Sequence, residues 1–165
     1  MQKETIFLAG GCFWGMEDLL RNLKGVTHTE VGYMGGQIKN ATYNLVKLGS
    51  TGHAETVKIE YDANTLKTEE LLKFFFKIHD PTTLNQQGND IGTQYRSAIF
   101  YTTEAQKEAA KNVMSLVEKS GAWKKPLVTT LDKATEFWTA EDYHQDYLVK
   151  NPNGYTCHYI RKVEF

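Results

Sequence analysis

The alternation of strand-like and helix-like segments is the feature that most constrains the fold of this chain. Alternating or clustered apolar residues predict strands near 5–9, 27–34, 55–61, 95–101 and 127–132. Apolar stripes at helical spacing predict helices near 13–23, 69–79, 103–121 and 140–149. Two long irregular stretches, 35–53 and 80–93, interrupt this order, and long loops in compact domains are often functional.

The first six predicted elements run β-α-β-β-α-β, which is the order of a ferredoxin-like, split βαβ unit. Helices on one face of a mixed sheet would give an α+β fold, a two-layer sandwich. Thr68 is expected to cap the second helix, and Thr103 with Gln106 has capping-box spacing before the third. We also expect extra helices and an irregular C-terminal tail, at about 151–165.

Length and composition narrow the classes of protein to which the chain can belong. Its 165 residues fit one domain, 1–165, and we expect a monomer. A net charge of −1 gives no electrostatic reason to expect nucleic acid or an anionic membrane as partner. No apolar run approaches the roughly 20 residues that span a bilayer, and the first residues lack the apolar core of a signal peptide. With two cysteines rather than a disulfide framework, the expected compartment is the cytoplasm.

Cys12 lies at the predicted junction of the first strand and the first helix. Gly10 and Gly11 precede it, and glycine permits a tight turn and a close backbone approach. The free amides at the helix start are expected to point toward the sulfur and favour the reactive thiolate. The alternative is a small buried apolar side chain, as free cysteines often are. Phe13 and Trp14 are either core or an apolar wall for a small substrate group.

Five blocks of characteristic sequence run in order along nearly the whole chain. They are Gly11-Cys12-Phe13-Trp14-Gly15 with Glu17; Gly32-Tyr33-Met34-Gly35-Gly36; Thr42-Tyr43 with Gly52-His53-Ala54-Glu55; His79-Asp80-Pro81-Thr82 with Gln87-Gly88-Asn89-Asp90-Ile91-Gly92-Thr93-Gln94-Tyr95-Arg96-Ser97; and Glu141-Asp142-Tyr143-His144-Gln145-Asp146-Tyr147-Leu148 with Asn151-Pro152. Together they resemble the type A peptide methionine sulfoxide reductases. The resemblance implies thiol-dependent reduction of methionine S-sulfoxide, free or in proteins, and hence repair of oxidised proteins.

The resemblance also implies a role for each site residue. Cys12 would attack the sulfoxide sulfur, and Glu55 would be the acid that protonates the departing oxygen. The hydroxyls of Tyr43 and Tyr95 would hold that oxygen, and Asp90 would be a polar pocket contact. Phe13 and Trp14 would accept the substrate methyl group. From the residues alone, an exposed strand-end acid is the favoured interpretation of Glu55, and only the resemblance reverses it. Asp90 could be a turn residue as well as a pocket contact.

Cys157 is the second cysteine and lies in the predicted tail. Oxygen transfer would leave a sulfenic acid on Cys12, which must be reduced before another turnover. By resemblance, Cys157 would attack it and form a disulfide that thioredoxin, or dithiothreitol in vitro, then reduces. The segment Gly154-Tyr155-Thr156-Cys157 departs from members that place cysteine directly after Gly-Tyr. The alternative is that Cys157 packs inertly and an outside thiol reduces Cys12.

Other kinds of chemistry have weaker support in the sequence. The five histidines lack His-Glu-x-x-His or paired Cys-x-x-Cys spacing, and no phosphate-binding glycine loop is present. We therefore expect no metal and no bound cofactor. Two other functions stay open: a thiol hydrolase or acyltransferase built on Cys12 and a histidine, and a non-enzymatic regulatory module that senses oxidants or binds methionine-rich partners.

Overall fold

The structure, a computed structural model, describes residues 2–165. Over this range the strands are β1 (Lys3–Gly10), β2 (Val26–Met34), β3 (Ala54–Asp62), β4 (Gln86–Gln87), β5 (Asp90–Ile91), β6 (Ser97–Tyr101), β7 (Thr130–Lys133) and β8 (Trp138–Thr139). The α-helices are α1 (Phe13–Arg21), α2 (Tyr43–Val46), α3 (Thr68–Lys77), α4 (Glu104–Ser120) and α5 (Tyr147–Lys150). Single 3-10 turns lie at Thr93–Tyr95 and Asp142–His144. The described tail, residues 151–165, is irregular, as predicted.

The main sheet has the strand order β7-β6-β1-β3-β2-β8. Neighbouring strands are antiparallel except β6 and β7, which are parallel, so the sheet is mixed. Its centre, β6-β1-β3-β2, with α1 after β1 and α3 after β3, has the strand order of a ferredoxin-like unit. The predicted α+β fold is therefore confirmed.

The two faces of the sheet are buried to different depths. Alternate residues of a strand point to opposite faces. Ile6 and Leu8 of β1 are fully buried in the large core, which also contains apolar residues of α1, α3 and α4. Phe7 and Ala9 point the other way, into a smaller apolar cluster that includes Phe137. Cys12 therefore follows a strand that is covered on both sides, which holds the strand end in a fixed position.

Helix caps explain two of the boundaries. The Thr103 hydroxyl accepts from the Gln106 N–H at 3.1 Å, so the predicted cap of α4 is confirmed. Thr68 is not the cap of α3; Lys67 occupies that position and Thr68 is the first helical residue. The Thr68 hydroxyl instead hydrogen-bonds the buried Tyr61 hydroxyl at 2.7 Å. The Thr68 side chain, which local spacing predicts as a helix cap, therefore makes a tertiary contact with Tyr61 instead.

The predicted helix at 140–149 is wrong: the segment forms the 3-10 turn at Asp142–His144 and the short α5. The Gln145 side chain explains the break. Its Oε1 accepts from the Val31 N–H at 2.9 Å, and its Nε2 donates to the Val31 carbonyl at 2.8 Å. Asp146 then adopts a left-handed backbone, with φ of 51°. The Gln145 side chain therefore pairs with backbone groups of β2, and the segment does not form one continuous helix.

The two predicted loops contain short regular elements. Helix α2 lies within 35–53 and is capped by the Thr42 hydroxyl, which accepts from the Leu45 N–H at 3.4 Å. Strands β4 and β5 form a small hairpin within 80–93. Among residues 2–165, no helix has both the length and the apolar character needed to cross a membrane.

Candidate active site

Cys12 occupies the N-cap position of α1, two residues after the end of β1. The turn needs a glycine, because Gly11 has a φ of +101°. A Cβ atom there would also lie 2.7 Å from the Gln87 Cγ atom. Gly15, one turn into the helix, is close to the tail: a Cβ there would collide with the Thr156 hydroxyl. The glycines around Cys12 thus let the β4 segment and the tail pack directly onto its turn.

The Cys12 thiol is not held as a thiolate in this structure, contrary to the prediction. The side chain is 8% exposed. Burial, and then the charge of Glu55, raise the Cys12 pKa well above its usual range. The Trp14 N–H does hydrogen-bond the sulfur and lowers the pKa, as expected for a helix start, but this effect is smaller. The thiol therefore carries its proton near neutral pH.

Glu55 is the second residue of β3 and is buried, so it is not an exposed strand-end acid. Its Oε1 accepts a hydrogen bond of 3.2 Å from the Phe13 N–H, the residue next to Cys12. Burial raises the Glu55 pKa to about 8, against the smaller opposing effect of the Phe13 hydrogen bond. At neutral pH the carboxyl group is mostly protonated and can donate a proton.

A single cavity of about 160 Å³ brings the predicted residues together. It is lined by Cys12, Phe13, Trp14, Tyr43, Glu55, Asp90, Tyr95 and Tyr155. All the residues predicted for oxygen transfer and substrate contact are present. Tyr155 was not predicted to line it. Its Oη donates to the Asp90 Oδ2 at 3.2 Å. The sequence feature that could identify Tyr155 as a cavity residue is its position directly before the Thr156-Cys157 pair.

The Trp14 wall of the cavity is held by aromatic contacts. The Trp14 indole stacks on Tyr147, with ring centroids 3.7 Å apart and planes 8° apart. Its Nε1–H donates to the His144 Nδ1 at 2.9 Å. The His144 ring also packs against Phe13 and Tyr43, with centroids 5.2 and 4.6 Å away. These contacts fix the orientation of the Trp14 indole beside the cavity.

The two cavity tyrosines come from irregular segments. Tyr43 begins α2, where its N–H donates to the Glu141 Oε2 at 3.0 Å. Tyr95 ends the 3-10 turn at Thr93–Tyr95. Burial is the main cause that raises the pKa of both phenols. Both stay neutral at ordinary pH and can donate hydrogen bonds into the cavity.

Comparison with known proteins assigns the family. The family model described as "Peptide methionine sulfoxide reductase" matches residues 4–164. The chain belongs to this family. A curated relative, "Peptide methionine sulfoxide reductase MsrA" of Pseudomonas fluorescens, is 51% identical over 161 residues, 98% of this chain and 75% of the relative. The protein of the same name from Nocardia farcinica is 54% identical over 154 residues, 93% of this chain and 88% of the relative.

A solved structure agrees with the assignment. The crystal structure of Mxr1 from Saccharomyces cerevisiae in reduced form matches with a TM-score of 0.91 and 37% sequence identity. The match covers 98% of this chain and 93% of that one. These relatives confirm the type A resemblance found in the sequence blocks.

In this peptide methionine sulfoxide reductase, Cys157 lies beside the cavity. Its Sγ is 3.9 Å from the Asp90 Oδ2 and 4.0 Å from the Gln87 carbonyl oxygen. Cys157 is also among the charges that raise the Cys12 pKa, and both cysteines are free. Asp90, which lines the cavity, therefore contacts both Tyr155 and Cys157 of the tail.

Two buried histidines of the reductase hydrogen-bond groups other than the Cys12 sulfur. His79 hydrogen-bonds the Phe75 carbonyl and the Ser97 hydroxyl, each at 2.7 Å, and His144 is paired with Trp14. The Cys–His arrangement of a thiol hydrolase therefore gains no support. Within residues 2–165, no group of three or more His, Cys, Asp or Glu side chains is arranged to hold a metal ion.

Proposed function

We propose that the chain reduces methionine S-sulfoxide, free or within polypeptides, to methionine. One observation carries this proposal: a buried thiol and a carboxyl group with a pKa of about 8 line the same small cavity. A sulfoxide needs a soft nucleophile at its sulfur and a proton at its oxygen. Thiol and protonated carboxyl supply these two needs.

The first step transfers the oxygen of the sulfoxide to Cys12. The Cys12 sulfur attacks the sulfoxide sulfur and forms an S–S bond, while Glu55 protonates the oxygen and takes up the thiol proton in place of the one it gave. The S–O bond of the substrate and the new S–S bond then break as the hydroxyl group bonds to the Cys12 sulfur, so that methionine leaves and Cys12 is a sulfenic acid. The substrate sulfur is reduced by two electrons and the Cys12 sulfur is oxidised by two.

The protonation states of Cys12 and Glu55 depend on each other. A charged Glu55 raises the Cys12 pKa, so a protonated Glu55 makes loss of the thiol proton easier. The protonated form of Glu55 therefore supplies a proton to the sulfoxide oxygen and also makes ionisation of the Cys12 thiol easier. This coupling supports a Glu55 that starts the step as the acid and takes up the thiol proton only after it has given its own proton to the oxygen.

The remaining cavity residues would orient the sulfoxide. Tyr43 and Tyr95 are neutral phenols suited to hydrogen-bond its oxygen, with Asp90 as a polar neighbour. The rings of Phe13 and Trp14 offer an apolar surface to the methyl group. Burying one methyl group is worth only about 1 kcal/mol, so selection between the two epimers would depend on where the oxygen must lie.

The return to the starting state would use Cys157. Its thiol would displace the oxygen of the Cys12 sulfenic acid and form a disulfide, which thioredoxin would reduce. The contact of Cys157 with Asp90 supports this path, because Asp90 also lines the cavity. If an outside thiol reduced Cys12 instead, replacing Cys157 would leave thioredoxin-driven turnover unchanged.

We further propose that residues 1–165 act as one catalytic domain, as a monomer, in the cytoplasm. The continuity of the main sheet from β7 to β8 supports a single folding unit. Cooperative unfolding in one transition and a monomeric mass in solution are the expected measurements. A membrane-bound or secreted fraction in cells would contradict the proposed compartment.

The decisive assay uses each epimer of methionine sulfoxide with dithiothreitol and then with thioredoxin. We expect reduction of the S epimer with either reductant. Activity on the R epimer alone would contradict the proposal. Oxidation of Cys12 without any methionine product would favour an oxidant sensor instead.

A further inference from the structure

We propose that His158 is the base that removes the proton from Cys157 when Cys157 attacks oxidised Cys12. This inference rests on the proposed role of Cys157 in the catalytic cycle. It adds a catalytic residue to the tail, next to a sulfur that would react. His158 is buried and follows Cys157 directly in the chain.

The tautomer of His158 follows from its hydrogen bond. Its Nε2 lies 2.7 Å from the carbonyl oxygen of Gly10, and a carbonyl can only accept. Nε2 must therefore carry the ring hydrogen. In a neutral imidazole, Nδ1 then holds a free lone pair. That Nδ1 lies 3.9 Å from the Cys157 Sγ, so the proton-accepting atom faces the thiol.

Neutrality is favoured by the surroundings of His158. Burial lowers its pKa to about 4, and the charge of Arg161 acts in the same direction. The Gly10 hydrogen bond acts the other way and would stabilise the ring once it is protonated. His158 is therefore free of a proton before the step, and its carbonyl partner supports the imidazolium formed during it.

Cys157 needs such a base because its own thiol resists ionisation. Burial is the largest cause that raises its pKa. Four charged or titratable groups face the sulfur: Asp90 opposes the thiolate, Tyr155 and Arg161 favour it, and His158 accepts from it. Asp90 is the other candidate base, since its Oδ2 is also 3.9 Å away, but it already accepts from Tyr155.

The chemical step balances without another reactant. His158 Nδ1 takes the Cys157 proton, and the thiolate attacks the Cys12 sulfur. The S–O bond of the sulfenic acid breaks, the S–S bond forms, and the oxygen leaves as water after it gains a proton from the imidazolium. Cys157 is oxidised as Cys12 is reduced, and His158 ends neutral again.

The Gly10 contact also connects the base to the site of oxidation. Gly10 ends β1, and Cys12 is two residues later. The same ring thus contacts the strand end that leads to the attacked sulfur and the sulfur that attacks. The Gly10 hydrogen bond therefore keeps the His158 ring close to the turn that carries Cys12.

The test compares His158→Gln with wild type in a single turnover without reductant. The Gln amide nitrogen can still donate to the Gly10 carbonyl, but its side chain cannot accept a proton. We expect sulfenic acid on Cys12 at the wild-type rate, measured by methionine release. Formation of the Cys12–Cys157 disulfide, mapped by mass spectrometry, should slow about 10²-fold at pH 7. The defect should shrink as pH rises, because Cys157 then ionises without help.

Two further variants separate a base from a packing role. His79→Gln alters another buried, neutral histidine, whose ring also lies against Gly10, and should leave the rate of disulfide formation within about threefold of wild type. Asp90→Asn tests the rival base. The inference is overturned if His158→Gln forms the disulfide as fast as wild type. It is also overturned if the defect is equal at every pH, or if only Asp90→Asn has a defect that high pH corrects.

Failure of the underlying function gives a different pattern. If wild type itself forms no Cys12–Cys157 disulfide but releases methionine, the assigned role of Cys157 is wrong. If wild type releases no methionine, the proposed activity is wrong. With dithiothreitol, which can reduce Cys12 directly, His158→Gln should turn over within about threefold of wild type, whereas thioredoxin-driven turnover should fall.

Discussion

The two cysteines lie in regions of opposite construction. Cys12 follows the central strand β1 and occupies the N-cap of α1, and its acid Glu55 lies on the neighbouring strand β3. Cys157 lies in an irregular tail that is held by separate side-chain contacts. Among these, His158 donates to the Gly10 carbonyl at 2.7 Å, and the Arg161 guanidinium lies 5.5 Å from the Trp123 ring centroid.

This difference matches the needs of the two half-reactions. Proton transfer to a sulfoxide oxygen requires an acid held at a fixed position, which adjacent strands provide. Formation of a disulfide requires one sulfur to approach another, and disulfides usually join Cα atoms about 4.4–6.8 Å apart. A tail without helix or strand can make such an approach without breaking a sheet.

Replacing each cysteine in turn should give the largest difference between the two regions. Cys12→Ser should abolish methionine formation with every reductant, because the attacking atom is gone. Cys157→Ser should still release one methionine per chain and still turn over with dithiothreitol, but it should lose thioredoxin-driven turnover. Methionine release by each variant measures this. Equal loss in both variants would mean that the two regions do not act separately.

Glu55→Gln should slow oxygen transfer by about 10²- to 10⁴-fold at pH 7, because Gln cannot donate a proton. The wild-type rate should fall as pH rises through about 8, where Glu55 loses its proton. The variant should lack that decline. Single-turnover methionine release against pH checks both statements.

A wild-type rate that stays constant across pH 8, together with a Glu55→Gln rate near that of wild type, would remove Glu55 as the acid. A suitable control is Glu4→Gln on β1, which leaves the cavity residues in place and should preserve the pH profile of wild type.

Stability should also depend on Glu55. Its pKa of about 8 in the folded protein lies above the ordinary value of 4.5, so between these values the folded chain holds a proton that the unfolded chain has lost. The free energy of unfolding contributed by this residue therefore falls as pH rises through that window, by about 1.4 kcal/mol per pH unit. Glu55→Gln should remove that slope. Urea unfolding at several pH values compares the two proteins, and parallel curves would contradict the raised pKa.

The smallest expected effect concerns the tail alone. The Arg161 side chain lies over the rings of Tyr159 and Trp123. The Arg161 backbone N–H, which Gln would keep, donates to the Lys77 carbonyl at 2.9 Å. Arg161→Gln should loosen the tail by about 1 kcal/mol. Faster hydrogen exchange in residues 155–161, with an unchanged rate of methionine release, is the expected result. A change in exchange at β1 or β3 instead would show that the tail and the core are one unit.

The sequence predicted the regular part of this molecule well, for physical reasons. Apolar alternation and caps such as Thr103 are local, so the central strands and α4 follow from neighbours in the chain. The residues of the cavity were found through sequence blocks, because Cys12, Glu55, Asp90 and Tyr95 come from different elements. Local pattern alone could not unite them.

The sequence-based predictions that were wrong or incomplete concern residues whose structure depends on contacts between distant segments. Gln145 hydrogen-bonds Val31, so the segment predicted as a helix at 140–149 completes a strand edge. Tyr155 reaches Asp90 only because the tail folds back over the cavity. The Cys12 thiolate was expected from the helix start, but desolvation depends on how deeply the turn is buried. That depth is a property of the packed structure.

The central claim is that Cys12 receives the oxygen within the rigid region, before the tail acts. The most direct measurement treats Cys157→Ser with one equivalent of methionine S-sulfoxide without thiols, then adds dimedone, which traps sulfenic acids. We predict one methionine per chain and a dimedone adduct confined to Cys12. Methionine release without an adduct at Cys12 would contradict the claim.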